Sequence, residues 1–113
     1  MANVFTNAKK DLTTNAVTTV YTVPASTTGI VKSIIVSEDS GNADSITLTL
    51  TDASANVFSL FKTKAISANQ TVELLSSPIV LQESEIIKAT AATGNRLHIC
   101  LLYTSPSPRD QEA

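Results

Sequence analysis

The chain of 113 residues has few of the residues that most often carry chemistry. It contains one cysteine, one histidine, three glycines and no tryptophan. A single cysteine forms no intrachain disulfide, so the fold depends on its core and its hydrogen bonds. The glycines, at positions 29, 41 and 94, are isolated and each fits a turn, unlike the Gly-rich loops that bind phosphate.

The charge balance and the short apolar runs exclude further classes. Eight Lys and Arg against ten Asp and Glu give a net charge of −2, and Lys9-Lys10 is the largest basic cluster. Because nucleic-acid backbones are bound by clustered cations, we expect no nucleic-acid partner. No apolar run approaches the roughly 20 residues that span a bilayer, and the amino end lacks the apolar stretch of a secretory signal. We therefore expect no membrane segment and synthesis in a cytoplasm.

β-branched and small polar residues dominate the chain from residue 16 onward, which favours strands over helices. The strict alternation of residues 45–51 places Ile46, Leu48 and Leu50 on one face and threonines on the other. Further strands are predicted over residues 16–23, 30–38, 57–64, 71–75, 79–81 and 85–91, with a last one from residue 97.

Strands of this length, separated by turns, are typical of a β-sandwich. The sequence predicts one all-β antiparallel sandwich or jelly-roll-like domain over residues 16–99, with about seven or eight short strands. The turn formers of residues 38–44 predict a hairpin between two of them. The run Ile34-Ile35-Val36 indicates burial on both faces, and Phe58 and Phe61 are assigned to the core.

Residues 1–15 are more polar than the rest, with Phe5 as their one aromatic residue. They are predicted to form a flexible, solvated arm. The alternative is an arm that docks Phe5 on a neighbouring subunit, where an isolated aromatic ring finds burial.

Residues 100–110 read CLLYTSPSPRD, and this string resembles one reading frame of a transposase-type sequencing-library adapter. On that interpretation residues 100–113 are an artefactual tail, the natural gene departs from this sequence near Ile99, and deletion of residues 101–113 costs little stability. The alternative is a genuine Ser/Pro-rich tail after a final strand.

Candidate catalytic residues are sparse. His98 lies between Leu97 and Ile99, so on a strand it faces away from them, toward solvent, and a surface role is favoured over catalysis. The carboxylate pairs Glu83/Glu85 and Asp39/Asp44 lie in turns, where acids are common for backbone reasons. We therefore expect no catalytic residues, no cofactor and no enzyme.

Residues 39–44 also supply several oxygen ligands within a short loop, as a calcium site does. They lack the acidic spacing and the distal Glu of an EF-hand loop, so a plain turn is favoured over a metal site. Asn69-Gln70-Thr71 matches the glycosylation triplet but follows no secretory signal.

Four stretches of the sequence together resemble a known class of protein. These are residues 4–8 (VFTNA), 18–25 (TTVYTVPA), 30–36 (IVKSIIV) and the hydrophobic-acidic pattern of residues 81–89. They resemble small virion structural proteins of tailed bacteriophages, especially those of marine metagenomes. Ser84-Glu85 departs from the Gly-Asp-like turn expected there.

The resemblance implies a β-sandwich that assembles into a symmetric oligomer at the capsid surface, neck or tail, without enzymatic activity. The partners would then be other copies and other virion proteins, and the location the virion. The alternative function is a β-sandwich module that binds carbohydrate or a host surface, which needs exposed aromatic side chains for stacking on sugar rings.

Overall fold

A computed structural model describes residues 4–105, with side chains for residues 6–104. This range forms nine β-strands and no helix. The strands are β1 Val4–Leu12, β2 Thr18–Thr22, β3 Gly29–Glu38, β4 Asp44–Thr51, β5 Val57–Ile66, β6 Thr71–Glu73, β7 Ile79–Leu81, β8 Ile86–Ala91 and β9 Leu97–Ser105.

The strands form two antiparallel sheets that pack face to face. The outer sheet, a name used here for the five-stranded one, has the order β1-β9-β3-β6, with β7 also paired to β3; the second sheet has the order β2-β8-β4-β5. If β6 and β7 are counted as two pieces of one interrupted strand, each sheet has four strands. Most connections then cross from one sheet to the other, as in a jelly roll. The all-β sandwich predicted from the sequence is confirmed.

The core lies between the sheets and is built from alternate residues of each long strand. Ile46 and Leu48 of β4 are fully buried and Leu50 is half-buried, which confirms the inward face predicted from the alternation. Leu97, Ile99 and Leu101 of β9 are buried from the opposite sheet. Strand alternation is thus the physical origin of the core.

The connection between β3 and β4 is not the predicted hairpin. β3 pairs with β6, β7 and β9, whereas β4 pairs with β5 and β8, so residues 39–43 carry the chain between sheets. Turn-forming residues mark a reversal of the chain but do not say whether the next strand pairs with the last one. Because β3 and β4 lie in opposite sheets, the apolar side chains on the inward face of each strand are buried between the sheets.

Two burial assignments are also corrected. Ile34 and Val36 are fully buried, but Ile35 between them is 40% exposed on the outer sheet's solvent face. Phe58 is 52% exposed and Phe61 only half-buried, although both point toward the inside of the sandwich. The strands that could cover them, β6 and β7, have three residues each and leave this side open.

Residues 4–12, expected to be a flexible arm, instead form β1 along the free side of β9. Leu12 is buried and Ala8 packs against the core, while the lysines and asparagine of the strand stay in water. The sequence did not predict this strand, because it has few apolar residues and those packed against the core lie on one face. The predicted docking of Phe5 concerns a side chain that lies outside the described ones.

Strand β9 continues six residues past Ile99 to Ser105, through the segment that resembles adapter sequence. Leu101 is fully buried and Thr104 is 1% exposed. β9 is also an inner strand, paired with both β1 and β3. The burial of Leu101 and Thr104 argues against the expectation that deletion of residues 101–113 costs little stability. Residues 106–113 lie outside the described residues.

Candidate functional surfaces

His98 lies on the solvent face of the outer sheet between two aspartates. Its Nδ1 is 3.5 Å from Asp11 Oδ1, and its Nε2 is 3.1 Å from Asp39 Oδ1. The sequence predicted the outward orientation, because Leu97 and Ile99 point into the core. It did not predict the two aspartates, which arrive from β1 and from the loop after β3.

The cluster links β9 to β1 and to the loop after β3 through exposed side chains. His98 lines an open groove of about 400 Å³ with Lys9, Ser37 and Cys100. The hydrogen bond of its ring is made with Asp39 Oδ1. The side chains of His98, Asp11 and Asp39 are 41% to 66% exposed, so the cluster lies in water.

Residues 39–44, the candidate calcium loop, are organised by the buried carboxylate of Glu38. That carboxylate accepts hydrogen bonds from Ser40 N–H at 2.8 Å, Gly41 N–H at 3.0 Å, Asn69 N–H at 3.0 Å and the Ser40 hydroxyl. Burial on its own raises the pKa of Glu38, but these hydrogen bonds outweigh it and lower the pKa to about 2. Two N–H groups of the loop and the Ser40 hydroxyl are therefore directed toward the Glu38 carboxylate.

The two aspartates of this loop are used separately. Asp39 contacts His98, whereas Asp44 accepts a hydrogen bond from Thr93 N–H at 3.1 Å. Within residues 4–105 no group of three or more His, Cys, Asp or Glu side chains is arranged to hold a metal ion.

The other acidic pair is also divided between backbone contacts. Glu83 accepts from Ser26 N–H at 2.8 Å, and Glu85 accepts from Gln82 N–H at 2.7 Å. Glu85 closes its own turn, which is the common backbone use of acids in loops, whereas Glu83 links its turn to the loop after β2.

Glu73 is a structural carboxylate that the sequence did not single out. It accepts hydrogen bonds from Ile34 N–H at 2.9 Å, Leu75 N–H at 3.2 Å and the Ser33 hydroxyl. Burial opposes ionisation, but the three hydrogen bonds leave the pKa of Glu73 below its usual value. Glu73 thereby holds the short strand β6 on β3, and only the fold reveals its partners 39 and 40 residues away.

The open side of the sandwich exposes an apolar surface. A groove of about 290 Å³ runs between β5 and the connection from β6 to β7; it is lined by Leu60, Phe61, Leu74, Leu75 and Ile79, together with Ser76 and Ser77. Phe58 lies on the same inward face of β5 as Phe61 and is 52% exposed. Exposed apolar side chains that are rimmed by polar residues, here Ser76 and Ser77, are typical of sites of protein contact.

Comparisons with known proteins give a limited result. No protein-family model matches the chain, and no curated protein matches it. Among solved structures, it is similar to a chain of the "Cyanophage Pam1 capsid asymmetric unit", with 16% identity, a TM-score of 0.47, and coverage of 90% of this chain and 85% of that one. It is also similar to a chain of the infectious bursal disease virus Gt strain structure, with 6% identity, a TM-score of 0.46, and coverage of 93% and 31%.

Both structures are distant from this chain in sequence. In the part of the chain that the structure describes, no helix is both long enough and apolar enough to cross a membrane. What the residues themselves establish is a two-sheet, all-β jelly-roll sandwich with one open apolar side.

Proposed function

We propose that this chain is a non-enzymatic structural protein of a tailed-phage virion, a component of the capsid surface, neck or tail, which acts by contacts with other copies and other virion proteins. The observation that carries the proposal is the apolar open side of the sandwich. Phe58 and the apolar side chains that line the groove beside Phe61 are exposed to water. A subunit contact that covers them removes the free-energy cost of this exposure.

The sequence resemblance and the topology support the same proposal. Three of the stretches that carry the resemblance, residues 4–8, 18–25 and 30–36, lie mainly on β1, β2 and β3 of the sandwich. Jelly rolls of this kind serve as capsid domains and as lectins, so the fold leaves both functions open. The virion is the proposed location.

Light scattering after size-exclusion chromatography, over a concentration series, tests the proposal. A defined oligomer that Phe58→Ser weakens supports it. Val80→Ser is the matched control, because Val80 is 56% exposed but belongs to β7, in the other sheet. Equal weakening by both variants would show that the open side is not a specific contact.

The alternative, a carbohydrate-binding module, uses the same residue differently. Of the aromatic side chains that the structure describes, Phe58 is the one more than half exposed, so it would be the stacking platform. A glycan array probed with the purified protein separates the two functions. Binding that Phe58→Ser abolishes, from a chain that stays monomeric, would favour the module.

The proposal keeps the prediction that adapter DNA encodes residues 100–110. The segment suits β9 because Leu101 and Tyr103 continue the inward alternation of Leu97 and Ile99. Resequencing of the source DNA across codon 99 tests it. A natural continuation that differs from CLLYTS supports the prediction, and an identical one contradicts it.

A further inference from the structure

Strand β1 is a long and regular free edge. It pairs with β9 through nine residues without a register shift, and within residues 4–105 no strand pairs with its other side. The other edge strands are irregular or short: β5 has two register shifts, β2 has one, and β6 and β7 have three residues each. A regular free edge is a template for another strand.

We infer that β1 pairs antiparallel with β1 of a second copy, about a two-fold axis through Ala8 and perpendicular to the sheet. The inference rests on the proposed function, because it names one of the subunit contacts through which the chain assembles. This pairing joins the outer sheets of the two copies into one continuous sheet. The contact is isologous, because both copies use the same strand.

The pleat limits the registers that such a pair can adopt. Directly opposed residues of antiparallel strands share a face, so the axis passes through a residue of β1 and not between two residues. An axis through Ala8 pairs all nine residues, since Val4 then faces Leu12 at each end. Over the described residues 4–12 that register forms about eight backbone hydrogen bonds between the copies, and every other axis pairs fewer of these residues.

The charges of β1 disfavour the registers whose axis lies beyond Ala8 toward the carboxyl end of the strand. An axis through Lys9 or Lys10 sets two ammonium groups opposite each other, and an axis through Asp11 opposes two carboxylates, which is unfavourable. With the axis through Ala8, Lys9 faces Asn7 and Lys10 faces Thr6. The lysines therefore disfavour the wrong registers without blocking the right one.

A contact within the chain shows that the facing groups are compatible. Lys9 Nζ donates a hydrogen bond to Asn7 Oδ1 of its own strand at 3.0 Å. Across the proposed axis Lys9 of each copy lies opposite Asn7 of the other. The dimer therefore contains two such pairs of an ammonium and an amide group. The two Ala8 side chains, opposed at the axis, are small and uncharged and so do not repel each other.

Cysteine cross-linking tests both the pairing and its register, in the full chain with Cys100→Ser to remove the native thiol. Opposed residues lie about 4.5–5.5 Å apart between Cα atoms, a distance that a disulfide bridges. Ala8→Cys should form a covalent dimer under mild oxidation. Thr6→Cys and Lys10→Cys should each do so at least about tenfold more slowly, because each lies four positions, or roughly 14 Å, from its own mate.

The double variant Thr6→Cys/Lys10→Cys should cross-link as readily as Ala8→Cys, because those positions face each other across the axis. Efficient cross-linking by Lys10→Cys alone would overturn the register. No preference among the variants would overturn the pairing.

The outcomes separate this inference from the proposed function. A defined oligomer in light scattering, with no preferential cross-link at Ala8, overturns the β1 contact and leaves the proposed function standing. A cross-link at Ala8 in a dimer that binds glycans and is absent from virions by mass spectrometry supports the β1 contact and overturns the proposed function. A chain that stays monomeric and forms no cross-link overturns the β1 contact.

Discussion

The ring of Tyr103 lies against the ring of Tyr21, with centroids 4.1 Å apart and an interplanar angle of 31°. Tyr21 belongs to β2 and Tyr103 to β9, so the pair joins the two sheets. Burial, followed by the proximity of Tyr103, raises the pKa of Tyr21. The segment after Ile99 is thus packed into the sandwich and closes one end of it.

The burial of β9 predicts a large effect at Leu101 and a small one at its neighbour. Leu101→Ala should lower the free energy of unfolding by about 3 kcal/mol, since Leu101 is fully buried and its removal leaves a cavity. Leu102→Ala is the matched control, because Leu102 is 40% exposed on the opposite face, and it should cost less than about 1 kcal/mol. Urea unfolding measures both; equal losses would place β9 outside the core.

The two faces of β4 predict opposite tolerance to charge. Leu48→Asp should abolish soluble folding, because it buries a carboxylate at a position with no exposure. Thr49→Asp should be mild, because Thr49 points to the other face of the sheet. Soluble expression and thermal unfolding compare the two variants, and similar behaviour would contradict the assigned faces.

The hydrogen bonds of Glu38 predict a loss of stability in acid. The pKa of Glu38 is about 2 in the folded chain, against an ordinary value of 4.5. A lowered pKa stabilises the fold fully above the unfolded value, and that contribution is lost as the pH falls from about 4.5 toward 2. Chemical unfolding measured across this pH range should show the decline.

Glu38→Gln should lower stability near neutral pH and flatten the acid decline, because its amide does not titrate. Some decline should remain from Glu73 and Asp52, whose pKa values are also lowered, Asp52 chiefly by the N–H of Asn56. Glu83→Gln is the control, since Glu83 accepts a single hydrogen bond in an exposed turn. An unchanged acid profile in Glu38→Gln would refute the role given to Glu38.

The exposure of the His98 cluster predicts a small energetic role. His98→Ala should change the free energy of unfolding by less than about 1 kcal/mol, because ion pairs in water contribute little. The side chains of His98, Asp11 and Asp39 are 41%, 58% and 66% exposed. Urea unfolding of His98→Ala tests this, and a loss of several kcal/mol would show that the cluster locks β1 to the sheet.

The sequence alone determined the class of fold and most of the strands. Alternation in residues 45–51 assigned Ile46 and Leu48 to the core, and the flanks of His98 oriented its ring outward. These are local properties, since successive side chains of a strand point to opposite faces whatever the strand pairs with.

Only the tertiary structure decided which strands pair and which faces stay uncovered. Residues 38–44 signal a reversal equally well for a hairpin and for a crossing between sheets, and the crossing was decided by pairing partners far along the chain. The apolar pattern of β1 is too weak to predict a strand from the sequence. The strand forms through backbone hydrogen bonds with β9, which lies far along the chain. Phe58 is apolar enough for a core, but its exposure depends on how short β6 and β7 are on the opposite sheet. Pairing and coverage are long-range properties, so the candidate contacts at β1 and at the open side emerged only from the assembled sandwich.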